Sequence, residues 1–454
     1  MQSRLGWIAR GSVVRIRCVP EINISADGLV RRLLEISRDT RVCILDSCGV
    51  AYLDSHLLIA GIEPYEKAEF AHNAIEALER LDNAVEGDSP CIFTLSYDFG
   101  LALAGISSRH GSFREPHVFL ARFKHLVVYN YSSGKAFVLG GETNGIAERI
   151  LAPYDSAVPV LHAGTRLRSI AFTKQEYLEA VREVLAEIRS GNTYQANIIQ
   201  RFEVELGRLD AQTVFSRLRD KHPAAFAAFI QRNNSTVVSA SPERFFRIRS
   251  GSIEASPIKG TAPRVGNERI DRDARDQLLH SRKDIAENTM IVDLLRNDLG
   301  RVCEFGSVKV TKLCAVEEHP TLFHLVSTIV GRLRAEANFS DVIAALFPCG
   351  SITGAPKIST MKIIDRLEKT PRGLSMGAIG YSIPAGFQTE DSGLAAGIDT
   401  SVAIRTMTIR NGVASFSTGG GIVSDSQPEL EYGEMLLKAK ALLTALELDP
   451  SDIL

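Results

Sequence analysis

Two hydrophobic periods run through this chain. Short apolar runs such as RVCILDS (41–47) and PCIFTLSYDFG (90–100) predict buried strands, and HLVVYNYSSGKAFVL (125–139) predicts a hairpin about Ser-Ser-Gly. YEKAEFAHNAIEALERLDNA (65–84) predicts an amphipathic helix. Further on, Thr173 and Glu176 read as a capping box, and Leu178, Val181, Leu185 and Ile188 recur at helical spacing until Gly191. AAFAAFIQ (224–231), STVVSAS (235–241), RFFRIRS (244–250) and SIEASPI (252–258) predict strands. A charged helix comes next, then KDIAENTMIVDLLRNDLG (283–300), the glycine-rich VASFSTGGGIVS (413–424) and a last helix from 428 to 447. Strands adjoining strands, with helices in blocks, predict an α+β fold rather than a βαβ chain. The weakly periodic stretch 151–169, with two prolines, predicts a boundary between an N-terminal α+β part, 1–165, and a second part, 166–454.

Composition narrows the function classes. The 454 residues carry 52 Lys+Arg against 54 Asp+Glu, a net charge of −2, which argues against nucleic-acid or membrane-surface binding through bulk charge. No run approaches the roughly 18 apolar residues of a membrane span, and arginines interrupt the apolar residues of the first twenty. The seven cysteines are odd in number and scattered without a C-x-x-C pair, which argues against a zinc or disulfide framework and predicts a cytoplasmic setting. Cys303, Cys314 and Cys349 read as small packing residues.

Carboxylates and glycines then stand out against this background. Glu287 has Met290, Ile291, Leu294 and Leu295 at helical spacing, with Ile285 and Val292 opposite, so its helix reads as buried and Glu287 as an internal charge. A salt bridge or a metal would satisfy it. Glu431, Glu434 and Lys438 share a helix face that Leu442 and Ala445 continue into core. Carboxylates converging there would repel, and a hard cation such as Mg²⁺ relieves that; the alternative is a surface Glu/Lys pair. FPCGSITGAPK (347–357) lacks the Gly-Lys-Ser/Thr of a phosphate loop, and Pro356 removes a backbone donor. Gly419, Gly420 and Gly421 permit close approach of a ligand, or else form a tight bend between strands. SPIKGTAPR (256–264) sets one lysine, Lys259, in a rigid corner punctuated by glycine and prolines.

Together, SPERF (241–245), PIKGT (257–261), ENTMIVDLLRNDLGRV (287–302), FHLVSTI (323–329), FPCGSITGAPK, GAIGY (377–381), VAIRT (402–406), GGGIVSDS (419–426) and the final ELEYGEMLLKAKA resemble the chorismate-utilising enzymes. That family includes anthranilate synthase component I and aminodeoxychorismate synthase component I. The ordered set covers about 170 to 450, while the N-terminal part resembles the family only through ILDS and LSYDFG. The resemblance implies antiparallel sheets packed as a sandwich with helices outside. It implies Mg²⁺ held by Glu287, Glu431 and Glu434. By the same resemblance, Thr353, Tyr381, Arg405, Lys438 and the backbone of Gly419 to Gly421 would grip chorismate, with His324 beside the reacting ring. Cys349 departs from the glycine more usual there.

Two positions divide the family. The residue matching Lys259 is typically alanine in anthranilate, isochorismate and salicylate synthases and lysine in aminodeoxychorismate synthases. Gln195 stands where water-adding members carry a lysine base. The pair points to the aminodeoxychorismate branch, with Lys259 attacking the ring covalently and Glu243 protonating the departing hydroxyl. A strand-end ion pair between Glu243 and Arg244 is the structural alternative. No glutaminase or lyase signature is found, so ammonia is expected from a glutamine amidotransferase partner. Anthranilate synthase component I and a non-catalytic glutaminase-binding homologue are the rival readings.

Overall fold

The computed structural model describes residues 21–50, 52–54, 56–110, 115–141, 144–153, 164–318 and 322–449. Cys18 and most of the boundary expected at 151–169 lie outside them. Among the described residues, antiparallel pairing builds one sheet of twelve strands and another of ten. The larger sheet runs through Glu21–Ile22, Lys135–Gly140, His125–Asn130, Leu57–Ile62, Val42–Asp46, Phe226–Gln231 and Thr236–Ser241. It continues through Thr406–Arg410, Val413–Ile422, Gln195–Glu205 and Gly354–Ala355, with Arg166–Ile170 also on Gln195–Glu205. In the smaller sheet the order is Ile258–Pro263, Leu322–Arg332, Ser252–Ala255, Arg244–Arg249, Gly397–Val402, Ala378–Ile383, Cys91–Leu95, Val118–Arg122 and Glu66–Phe70. Lys309–Glu318 also pairs with Leu322–Arg332. Strands from both sides of residue 165 adjoin in each sheet: Val42–Asp46 pairs with Phe226–Gln231, and Cys91–Leu95 with Ala378–Ile383.

The apolar runs read as continuous because both faces of these strands are buried. In Val42–Asp46, Val42 and Ile44 face a core shared with helices, while Cys43 faces a core between the sheets. Ala228 and Ile230 of the larger sheet meet Ile92, Phe119 and Ile379 of the smaller one in that central layer. Leu33, Val181, Leu218 and Leu442, on four helices, cover the outer face of the larger sheet. Leu81, Ile291 and Val342 cover the smaller sheet. The result is a sandwich with helices outside, as the resemblance implies, and the capping box of Thr173 and Glu176 is present.

Four local expectations are revised. The helix expected over 65–84 is a strand, Glu66–Phe70, followed by a helix, Ala74–Val85. Asn73 starts that helix by accepting the Glu76 amide, while Glu66 pairs with Arg122 on the neighbouring strand at 3.0 Å. The strand expected over 90–100 ends at Leu95, because Ser96 caps the helix Tyr97–Leu103. Arg282–Gly300 is amphipathic rather than apolar all round: Lys283, Thr289, Asp293 and Arg296 are exposed. Finally, Gly419 to Gly421 form no bend but lie within the strand Val413–Ile422.

Candidate active site

The corner around Lys259 is an edge strand with a bulge. Ile258–Pro263 pairs with Leu322–Arg332, and the register slips between Ile258 and Thr261, which places Lys259 and Gly260 at the irregularity. Gly260 has φ +84°, and a side chain there would come within 2.8 Å of Leu278 Cδ1 and 3.0 Å of Asp284 Cβ. Only glycine meets both demands. Pro263 ends the strand on its open edge, where no ladder donor is needed.

Lys259 is largely buried, with its side chain 13% exposed. Its Nζ donates to the Ser351 carbonyl at 3.4 Å and lies 3.9 Å from Glu287 Oε2. Ser351 Oγ donates to Glu243 Oε1 at 3.0 Å, so one residue of the FPCGSITGAPK loop touches both the lysine and the acid. Burial pushes the Glu243 carboxyl up, with Lys259 the chief opposing influence. Arg244 is not its partner: that guanidinium grips Asp399 through two hydrogen bonds of 2.9 Å. On the paired strand, His324 Nδ1 lies 3.0 Å from Thr261 Oγ1, and its ring stands 6.4 Å from that of Tyr52.

The helix Pro428–Ala445 supplies the opposing wall. Glu431 is buried, accepts from Ser426 Oγ at 2.6 Å and lies 3.8 Å from Lys283 Nζ. Glu434 pairs with Lys438 at 2.7 Å, and Lys438 Nζ donates to the Gly419 carbonyl at 3.1 Å. Burial raises the Glu434 carboxyl, but Lys438, Lys283 and Lys259 outweigh it, and the net shift is downward. Glu287, on a separate helix, feels the same field: burial raises its carboxyl, Lys259 and Lys283 oppose, and Asp284 and Glu431 add to the rise.

The glycines make room for this meeting. A Cβ at Gly420 would stand 3.2 Å from Glu431 Oε2, 3.9 Å from Glu434 Oε1 and 4.0 Å from Lys438 Nζ. A Cβ at Gly421 would meet Gln195 Nε2 at 2.6 Å, and one at Gly419 would strike the Ile198 carbonyl at 2.0 Å. Pairing of this strand with Thr406–Arg410 stops at Phe416, whereas pairing with Gln195–Glu205 continues to Ile422. Gly419 turns its carbonyl to the open edge, toward Lys438, and strand geometry turns its amide the same way.

Hard oxygen donors on two facing helices suit Mg²⁺, and Gly420 leaves the space beside Glu431 and Glu434. Among the described residues, no three His, Cys, Asp or Glu side chains stand together as a finished metal cage. Glu287, Glu431 and Glu434 each have a lysine within 4 Å.

The remaining residues divide. Thr353 is fully buried behind the site, its hydroxyl donating to the Cys349 carbonyl at 2.8 Å. Arg372 pins that loop, donating to the carbonyls of Ile352 and Asn197 while held by Glu368. Arg405 takes a left-handed φ of +47° on the loop after Gly397–Val402, and its carbonyl accepts the Ala240 amide. Arg405 is an exposed residue, and desolvation by the protein around its guanidinium lowers its pKa. Tyr381 is not brought to the site. It lines a separate small cavity with Asp46, His56, Arg249 and Asp399, because its strand position faces the Asp399 ladder partner. Lys357, the lysine of the false phosphate loop, is bound to Asp298 at 2.7 Å and to the Leu346 carbonyl at 2.8 Å. Ser351, Thr261, Lys283 and Tyr52 were not foreseen. Only Lys283, one helical turn before Glu287, had a signal in the spacing.

A sequence profile described as chorismate binding enzyme matches residues 49–444. The chain belongs to the chorismate-binding enzymes. Among members of that family, aminodeoxychorismate synthase component 1 of Salmonella typhimurium (strain LT2) is 45% identical over 275 residues, 61% of this chain and 58% of that protein. Anthranilate synthase component 1 of Bacillus subtilis (strain 168) is 35% identical over 277 residues, 61% and 52% of the two chains. The crystal structure of anthranilate synthase component I from Streptococcus pneumoniae TIGR4 matches with a TM-score of 0.74 at 25% identity, covering 87% of this chain and 93% of that one. This chorismate-binding enzyme thus spans less than two thirds of the length of these two sequence relatives. No helix among its described residues is long and apolar enough to cross a membrane.

Proposed function

We propose that this chain aminates chorismate at ring position 4, giving 4-amino-4-deoxychorismate for 4-aminobenzoate and folate biosynthesis. Ammonia comes from a glutamine amidotransferase partner in the cytoplasm. Residues 166–454 carry the chemistry, and 1–165 contribute a surface for the partner or an effector. The observation that carries this reading is Lys259 itself: a largely buried lysine, loosely held, one residue from the buried acid Glu243 through Ser351. Higher identity to an aminodeoxychorismate synthase than to an anthranilate synthase supports the same choice.

Lys259 Nζ, as the free amine, attacks position 2 of the ring. The double bonds shift, the C4–O bond breaks, and Glu243 delivers the proton with which the hydroxyl leaves as water. Burial of Glu243 suits this role, because it favours the protonated carboxyl that an acid must be. Ammonia then attacks position 4, the double bonds shift back, and the C2–N bond to Lys259 breaks, freeing the lysine. Arg405, Lys438 and the open amides near Gly419 orient the substrate carboxylates. His324, fixed by Thr261, lies beside the ring. Glu287, Glu431 and Glu434 would hold Mg²⁺, which when bound offsets substrate negative charge.

The test is to incubate the chain with chorismate, Mg²⁺ and an ammonium salt and identify the product by mass and fluorescence. Aminodeoxychorismate without pyruvate is expected. Anthranilate as sole product would contradict the reading, and no turnover even with a glutaminase partner would identify a non-catalytic homologue.

A further inference from the structure

A second charged recess lies far along the larger sheet, at the ends of Val42–Asp46 and Phe226–Gln231. Its volume is about 760 Å³, and none of the Lys259 cluster lines it. The two strands pair antiparallel from Asp46 opposite Ala227 to Cys43 opposite Ile230. Arg41 and Arg232 stand two residues further along these adjoining strands, and both line the recess. Like charges at neighbouring strand positions repel, so such a pair is a cost to the fold unless something neutralises it.

The observed partners neutralise only part of it. Arg232 is 3% exposed; its Nε donates to Ser235 Oγ at 3.0 Å and its Nη1 to Glu115, while Nη2 is buried with no hydrogen-bond partner among the described residues. Arg41 likewise keeps Nη1 buried and without a partner among the described residues. Of the two acids that line the recess, Glu63 is held by Arg149 at 2.8 Å and Asp39 is exposed, while Arg38, another cation of the wall, is held by Asp210 at 2.8 Å. Lys67, Asn233 and Asn234 add further donors to the lining. Gln231 stiffens the wall, accepting the Val42 amide and donating to the Ser37 carbonyl. Two buried guanidinium donors without acceptors, at the same end of two paired strands, form a site whose missing component is an oxyanion.

We propose that this recess binds a small oxyanion, a phosphate or a carboxylate, between Arg41 and Arg232. The site is independent of the chorismate reading. Inorganic phosphate and malonate, each titrated calorimetrically at constant ionic strength against a chloride control, test it. One saturable site per chain is expected, with affinity reduced at least about tenfold in Arg41→Gln. Among the described residues the Arg41 side chain makes no hydrogen bond, and losing its charge relieves the repulsion with Arg232, so this variant is expected to melt no lower than the parent in the absence of either anion. Tighter phosphate would assign a phosphate ligand, and tighter malonate a carboxylate. Absence of saturation by either anion, or undiminished affinity in Arg41→Gln, overturns the proposal. So does loss of binding in Arg405→Gln, which would place the anion at the Lys259 cluster instead.

Discussion

Lys259 and Lys357 are about equally buried, with side chains 13% and 11% exposed, and their surroundings differ in kind. Lys357 is saturated: a carboxylate at 2.7 Å and a carbonyl at 2.8 Å hold it, and the loop closes around it. Lys259 has its carbonyl at 3.4 Å and its carboxylate at 3.9 Å, at the far end of what counts as contact. A buried lysine with short partners is part of the frame. One with long partners, set on a bulge that only Gly260 allows, is held in place without being consumed. The same contrast separates Arg372, fully engaged by Glu368 and two carbonyls, from Arg405, which has no acid partner among the described residues.

That comparison breaks if the two lysines respond alike to substitution. Lys259→Ala should lower the rate of aminodeoxychorismate formation on the order of 10³-fold or more, as loss of one member of a catalytic unit does, with little change in melting temperature. Lys357→Met should do the reverse, costing about 3–5 kcal/mol of stability by stranding Asp298, measurable by urea denaturation. Equal loss of stability in both variants would make Lys259 a structural lysine.

Glu243→Gln sharpens the picture from the acid's side. The rate should fall about 10²-fold or more, and the alkaline limb of the parental pH–rate profile, where Glu243 loses its proton, should disappear. Stability should move the other way. A carboxyl raised above its ordinary 4.5 on folding favours the fold below that value, and this contribution is lost as pH rises through the raised pKa. Glu243→Gln is therefore expected to be more stable than the parent at neutral pH, with the gain vanishing in acid. Ser351→Ala should have the smallest effect, about 0.5–1.5 kcal/mol on the activation barrier through the lost hydrogen bond to Glu243.

What the sequence could reveal follows from these local physics. The strands buried on both faces, such as Val42–Asp46 and Phe226–Gln231, announce themselves as apolar runs, and the Thr173 cap announces its helix. Glu66–Phe70 does not, because a half-exposed edge strand of Glu, Lys and Ala carries a helical composition. Glu431, Glu434 and Lys438 were legible because one helix spaces them. Ser351 was not, since its role depends on a loop touching a strand more than ninety positions away in sequence. Tyr381 misled for the same reason in reverse: a motif match gives the strand but not the face on which its side chain lies. Lys259 was legible as an anomaly, and the fold supplied its cause in a bulge.

The most direct test is the intact mass of the chain incubated with chorismate and Mg²⁺ without ammonia. A gain equal to chorismate less one water, mapped by peptide analysis to Lys259 and missing in Lys259→Ala, is the predicted result. Product formation upon later addition of ammonia with no such adduct on the parent chain, or an adduct that survives in Lys259→Ala, would contradict it.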